Sequence, residues 1–286
     1  MPSRAEVVER ERRWALPVAL LTLASVVLAI ASLVVANGFF SADGEAAFLR
    51  EVDDDPSPYI LSAALRALSV LALIATLTYF FRAAEARSER VRGQLYGLIL
   101  VAPLFYAAGT ILTALSNVDA ASSFVDAGVT GTGDAGDDKA IDFQGDASLR
   151  GLAAGIGLAG TLGLTVVCVY TFLWAMRVGL LSRFWGSLAM ALGAVSFILP
   201  AFLPFFLILL IYLGLLVAGW VPRGRPPAWE AGEAVPWPTP GERMADQMQA
   251  DEETGVVEGE GAEKPAGEGP DPPRPPGERR KRKRRS

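Results

Sequence analysis

The sequence predicts an all-α integral membrane protein, with six transmembrane helices followed by a disordered C-terminal tail. Three observations carry this. Charged residues make up 20% of the chain but fall in a few blocks separated by long apolar runs. A run of about 18 or more such residues is long enough to cross a bilayer. Basic residues are frequent in every second loop and sparse in those between, the asymmetry that sets membrane orientation. Residues 221–286 are rich in Pro, Gly and Glu and poor in aliphatics, so they bury too little apolar surface to offset the entropy of ordering. The hydrophobic fraction of 51% is near that of soluble domains, so its distribution carries the reading.

Residues 1–13 form a cytoplasmic N-tail with Arg4, Arg10, Arg12 and Arg13. Span one is Trp14 to about Ala36. Ala29-Ile30-Ala31 resembles a signal-peptidase site, but the run continues past it, beyond the roughly 7–15 residues of a signal-peptide core. Span two covers about 59–81, with Pro58 suited to a first helical turn. Span three covers about 95–116 and contains Pro103. Span four covers about 151–176. The last run, Phe184 to Trp220, would rise about 55 Å as one helix, against a core of roughly 30 Å. Pro200 and Pro204 break it, giving spans of about 184–199 and 202–220.

The loop after span two holds Arg82, Arg87, Arg90 and Arg92; the loop after span four holds Arg177 and Arg183; Arg223 and Arg225 follow span six. Residues 37–58 have Arg50 alone, and residues 117–149 have Lys139 alone. Both termini are therefore expected in the cytoplasm. The two sparse segments are acidic and read as solvated outer loops without the spacing of a calcium site.

Arg66 is the one ionisable residue deep in a span. Such a charge is costly and marks a ligand site by default. It can also snorkel to the interface, or pair with Asp53, Asp54, Asp55 or Asp119. Gly151, Gly155, Ala159 and Gly163 recur every fourth residue and predict close helix packing, against a helix of this chain, a second copy or another membrane protein. Gly155 to Gly160 matches a dinucleotide fingerprint in form only, because no strand precedes it and no acid follows at the required distance. Arg279, Arg280, Lys281, Arg282, Lys283, Arg284 and Arg285 form a basic end that can meet anionic lipid headgroups, with nucleic acid the weaker alternative.

Gly179-Leu-Leu-Ser-Arg-Phe-Trp-Gly186, together with Pro226-Pro-Ala-Trp-Glu230 and Pro236-Trp237-Pro238, resembles a family of multi-span membrane proteins of GC-rich actinobacteria with no assigned activity. The resemblance spans the six helices and the start of the tail. It implies a bacterial plasma-membrane protein and no cofactor or catalytic residue.

The chain has no histidine and one cysteine, Cys168, in an apolar run. This removes the commonest general base and excludes an internal disulfide or a cysteine metal cage. The expectation is a non-enzymatic scaffold, regulator or envelope component acting through partners, without cofactor or metal. The alternative is a small-molecule transporter or channel with Arg66 near an outward-facing site. Without Asp, Glu or His in the spans, coupling to protons is not expected.

Overall fold

A computed structural model describes residues 3–36, 43–130, 133–221 and 224–238, with Met244 and Met248. The chain divides into Met1–Trp237 and Pro238–Ser286; of the second unit, Pro238, Met244 and Met248 are among the described residues. The described part of the first is all-helical. Four of its helices are long and apolar enough to cross a membrane: α1 (Arg4–Val35), α3 (Pro56–Glu85), α4 (Tyr96–Asp126, extended backward by a 3-10 turn at Gly93–Leu95) and α6 (Arg150–Arg177). Their outward faces carry large apolar side chains, among them Leu20 at 56%, Val27 at 64% and Leu162 at 51% exposure. This is the build of a membrane-embedded protein.

Beyond these four, the expected fifth and sixth spans are shorter helices. The last apolar run does break at the prolines, into α7 (Arg183–Val195), a 3-10 turn at Pro200–Phe202, and α8 (Leu203–Ala218). These helices rise only about 20 and 24 Å, short of the roughly 30 Å core. The register explains what is missing. A Cβ on Gly193 would meet the Cys168 side chain at 2.6 Å. Only Ala194 and Val195 of α7 follow Gly193 before the helix ends, whereas the antiparallel α6 runs from Cys168 back to Arg150, about 27 Å. Much of α6 therefore extends beyond the end of α7.

Local signals set the helix ends. Ser3 and Glu6 form a reciprocal capping box, and the Ser3 backbone N–H holds the Glu6 carboxyl below the usual range. Helix therefore begins at Arg4, and the predicted N-tail is continuous with span one. Asp55 accepts from Ser57 N–H at 3.1 Å ahead of Pro56, and Ser182 accepts from Trp185 N–H at 3.3 Å. Gly219, at φ +80°, ends α8 in the left-handed conformation that favours glycine.

The neighbours form a closed ring, in the order α1, α3, α4, α6, α7, α8 and back to α1, with α3 also touching α6 across it. Two kinds of seam hold it. Between α1 and α3 the seam is polar: Thr22 and Thr76 hydroxyls lie 2.6 Å apart, Ser25 and Ser69 each donate to the other's carbonyl at 2.8 Å, and Ser32 donates to Ser62 O at 2.8 Å. Between α4 and α6 it is a close backbone approach. A Cβ at Gly160 would stand 2.2 Å from Tyr106 N, one at Gly109 would stand 2.4 Å from Gly157 Cα, and one at Gly163 would stand 2.7 Å from Ala102 Cβ.

Of the small-residue stripe, Gly163 faces α4 within this chain, whereas Gly151 and Gly155 meet nothing within 4 Å and, with Ala159, face outward. A strict four-residue spacing overshoots the helical turn by about 40° each time, so the seam instead follows Ala153, Gly157, Gly160 and Gly163.

The acidic outer loops are corrected. Residues within 37–58 and 117–149 form α2 (Glu45–Asp54) and α5 (Asp134–Asp146), which pack on a projecting end of α4 around Leu49, Val52, Ala121, Phe124 and Ala140. Asp137 replaces the missing cap of α2, accepting from Ala46 N–H at 2.8 Å. Its carboxylate fills the space beside Gly44, where a Cβ would lie 2.4 Å from Oδ2. Arg50 donates to Val129 O at 3.1 Å and lies over the Phe124 ring.

The predicted start of the disordered tail is also corrected. Residues 224–237 pack against the opposite end of the bundle. Trp229, only 3% exposed, donates to Leu180 O at 3.0 Å. Trp237 donates to Leu181 O at 2.8 Å, and Arg183 donates to Trp237 O at 2.9 Å. Val235 N–H donates to Val178 O at 3.1 Å beside Gly179, where a Cβ would lie 2.0 Å from Val235 O. Tryptophan couples a large apolar surface to an N–H donor, so this short segment docks despite its proline content.

Candidate functional site: a polar cavity around Arg66

The short α7–α8 hairpin leaves a wedge at the end of the ring that carries α2 and α5. A cavity of about 390 Å³ occupies it, walled by α3, α4 and α6 and floored by Phe197 beyond α7. Its lining includes Arg66, Tyr59 and Ser62 of α3, Tyr106, Thr110 and Thr113 of α4, and Thr161 of α6. On α4 the spacing of Tyr106, Thr110 and Thr113 puts all three on one face. Gly109 on the same face draws α4 onto Gly157 and so fixes the wall.

Arg66 is half-buried and has no ion pair or hydrogen bond with a described residue. The carboxylates suggested by the sequence are engaged elsewhere or turned away. Asp55 caps α3, and Asp119 accepts from Ser148 N–H and Oγ at 3.3 and 3.1 Å; Asp53 and Asp54 make no salt bridge to it. Tyr59 receives a bond of 2.7 Å from Asn117 Nδ2, which holds the phenol at the cavity mouth. Arg66, Tyr106 and Phe197 also line a second cavity of about 60 Å³ deeper in the bundle, with Ser25, Ser69 and Ser196. These three side chains therefore form a neck, with the Tyr106 and Phe197 rings edge-to-face at 5.6 Å. Below the small cavity the interior closes on Leu77, Phe80, Phe172 and Trp229, all at most 3% exposed.

Chemically, the site offers one fixed positive charge, several hydroxyls that donate or accept, and an aromatic floor. No cluster of metal-ligating residues occurs among the described residues. The Tyr106, Thr110, Thr113 and Thr161 lining escaped sequence reasoning, although the one-faced spacing of hydroxyls in span three was a usable signal.

At the other end lies a second arrangement that the sequence did not mark. Glu11 and Arg87 form a two-pronged ion pair with side-chain exposures of 6% and 0%. Arg87 also donates to Ala228 O at 2.8 and 3.1 Å and to Ala83 O at 2.9 Å, and Tyr79 donates to Glu11 O at 3.1 Å. Arg87 thus ties α1, α3 and α9 (Ala228–Ala231) together. Residues 279–285, the basic end, lie outside the described residues.

Comparison with protein-family models, with curated proteins and with solved structures returned no match.

Proposed function

We propose that this chain is a non-enzymatic membrane protein that takes a small anion from the outer side into the Arg66 cavity, as a carrier or receptor not coupled to protons. The observation that carries this reading is a guanidinium without a described counter-charge in the wall of a polar cavity of about 390 Å³. Ligand charge and hydroxyl bonds can compensate a cation held at membrane depth. The neck at Tyr106 and Phe197, with the packed interior beneath it, fits a site open to one side only.

The outward direction follows from charge. Arg4, Arg10, Arg12, Arg13, Arg82, Arg87, Arg177, Arg183 and Arg225 gather at the end away from α2 and α5, and the positive-inside rule makes that end cytoplasmic. Both termini then lie inside, with four full crossings and one hairpin that enters and leaves on the cytoplasmic side. The scaffold reading has its own support in residues 224–237, which fasten the following chain to the bundle. The cavity favours the ligand reading.

The test is thermal unfolding of the detergent-purified protein with sodium phosphate, acetate, benzoate or chloride at matched ionic strength. A ligand at a hundred times its Kd stabilises by about 2.7 kcal/mol. Stabilisation by one of these anions, lost in Arg66→Gln and altered in Arg66→Lys, is expected. If no anion raises wild type above Arg66→Gln, the site is not an anion site.

A further inference from the structure

A second groove lies on the lipid-facing side near the cytoplasmic end. Its floor is α3, at Ile74, Thr78 and Arg82, and its walls are α1, at Arg10, Trp14 and Leu21, and α4, at Tyr96 and Leu100; its volume is about 460 Å³. We propose that this groove binds one anionic phospholipid of the inner leaflet, with the phosphate at Arg10 and Arg82 and an acyl chain along Pro17, Leu21, Ile74 and Leu100.

Depth is the first argument. From Arg10 to Leu21 the α1 wall descends about 16 Å, half of a roughly 30 Å core, which is one leaflet. The groove is charged only at its shallow end. Trp14 and Tyr96 stand just below the arginines, at the level where aromatic side chains meet headgroups.

The charges at that end favour an anion. Arg10 has no ion pair with a described residue. Arg82 is held over the Tyr96 ring, 4.0 Å from its centroid, and shares its charge with Glu85 at 2.7 Å. That exposed contact is weak and leaves donors of the guanidinium free. The other carboxylate at the groove, Glu11, is already neutralised by Arg87. Basic pockets between membrane helices on the cytoplasmic side are suited to anionic headgroups.

The third argument is an unpartnered hydroxyl. Thr78 Oγ1 is buried and makes no hydrogen bond to a described residue. It lies one turn, about 6 Å, deeper than Arg82 on the same face. This is the depth of the ester carbonyls beneath a lipid phosphate, and rotation about the Thr78 Cα–Cβ bond would turn the buried hydroxyl toward the groove, where it could donate to one of them. A buried hydroxyl left unmade is otherwise a cost.

The experiment is native mass spectrometry of the full chain in detergent, titrated with dioleoyl-phosphatidylglycerol or dioleoyl-phosphatidylcholine. Wild type should retain one phosphatidylglycerol in preference to phosphatidylcholine. Arg10→Gln with Arg82→Gln should weaken that retention roughly thirty-fold, since each charge near an anionic surface contributes about a factor of five. Arg12→Gln with Arg13→Gln removes the same charge off the groove and should leave it within about two-fold of wild type, given that charge alone is then not positioned. Equal retention of both lipids by wild type overturns the proposal, as does an equal loss in the two double variants. If the first double variant does not fold, Arg10→Gln alone with Thr78→Val takes its place. Unchanged phosphatidylglycerol retention there overturns the proposal equally.

Discussion

Removing the carboxylate of Glu11 should destabilise the protein more than removing both members of its ion pair. With side-chain exposures of 6% for Glu11 and 0% for Arg87, the pair is far from the surface case, worth about 0–1 kcal/mol. Glu11→Leu leaves the guanidinium bonded to the carbonyls of Ala83 and Ala228 but without a counter-charge. Breaking a buried pair in this way costs about 3–5 kcal/mol. Arg87→Met strands the carboxylate and also frees Ala228 O, so it should cost as much and additionally loosen residues 224–237. In the double variant no charge is buried, and the remaining loss is chiefly the unpaired Ala228 carbonyl, about 1–3 kcal/mol. The assay is thermal unfolding in detergent, followed by the loss of monodisperse protein on gel filtration. At roughly 2–4 °C per kcal/mol for a chain of this size, each single variant should fall by about 6–20 °C and the double variant by visibly less. Limited proteolysis reports separately on the docked segment, which should become cleavable in Arg87→Met before it does in Glu11→Leu. Single variants within 2 °C of wild type, or a double variant below both, would refute the reasoning.

The α4–α6 seam gives a positional contrast. Gly160→Leu must push against the Tyr106 backbone, where even a Cβ would stand at 2.2 Å, and overpacking of about 1–3 kcal/mol or more should remove most folded protein from detergent extracts, whereas Gly155→Leu, in open space, should extract normally. Asp137→Ala removes the borrowed cap of α2 and should cost about 1 kcal/mol, read as faster amide exchange at Ala46 to Phe48 with the spans unaffected; unchanged exchange there would show that the cap is idle. Trp229→Phe keeps an aromatic ring but loses the bond to Leu180 O and part of the indole's packing; a loss above about 1 kcal/mol for the bond but below the roughly 3–5 kcal/mol of Trp229→Ala is expected in the same unfolding assay, and a loss as large as that of Trp229→Ala would mean that the remaining ring contributes nothing.

Legibility in the sequence followed the strength of the local signal. The four long helices were readable because apolar length is itself the physical requirement for crossing a bilayer. The break near Pro200 was readable because proline removes a helical hydrogen bond. The length of α7 and α8 was not, since an apolar run gives no sign of how far it reaches; the register of Gly193 on Cys168 decides that. Nor could composition distinguish a docked tail from a solvated one. Residues 224–237 have the Pro and Gly of a disordered segment, and their order depends on Trp229 and Trp237 finding the carbonyls of Leu180 and Leu181. Those carbonyls belong to the Gly179–Gly186 stretch, so two segments conspicuous in the sequence prove to be the halves of one contact. Which small residues of α6 face α4 was unreadable for a related reason. Small residues occur on two faces of α6, and only the matching Gly109 and Ala102 on α4 choose between them.

Arg66 was readable in the sequence as a ligand candidate, and the case for it rests on how the other buried charged groups are treated. Along the α1–α3 seam, Thr22, Ser25 and Ser32 each find a partner on α3. At the end away from α2 and α5, Glu11 and Arg87 answer one another. In the cap, Asp55, Asp119 and Asp137 each hold backbone donors. Four neutral polar atoms are buried without a partner, at Thr78, Ser116, Asn117 and Thr171, but the buried charges and the capping carboxylates named here all have one. Arg66 has none among the described residues, and the space in front of it is a cavity lined by Ser62, Thr110, Thr113 and Thr161 rather than packed apolar side chains. A structural arginine would gain from an acid on a neighbouring helix, but of the acids close by in sequence Asp55 caps α3 and Asp53 and Asp54 make no salt bridge to it. The missing counter-charge is what an anion would supply. On this reasoning Arg66→Leu, which removes the uncompensated charge, should leave the unliganded protein as stable as wild type or more so. The same substitution at Arg87 should not, because it strands Glu11. A marked loss of stability in unliganded Arg66→Leu would mean that the guanidinium has a structural partner after all, and the cavity would then lose its claim as a binding site.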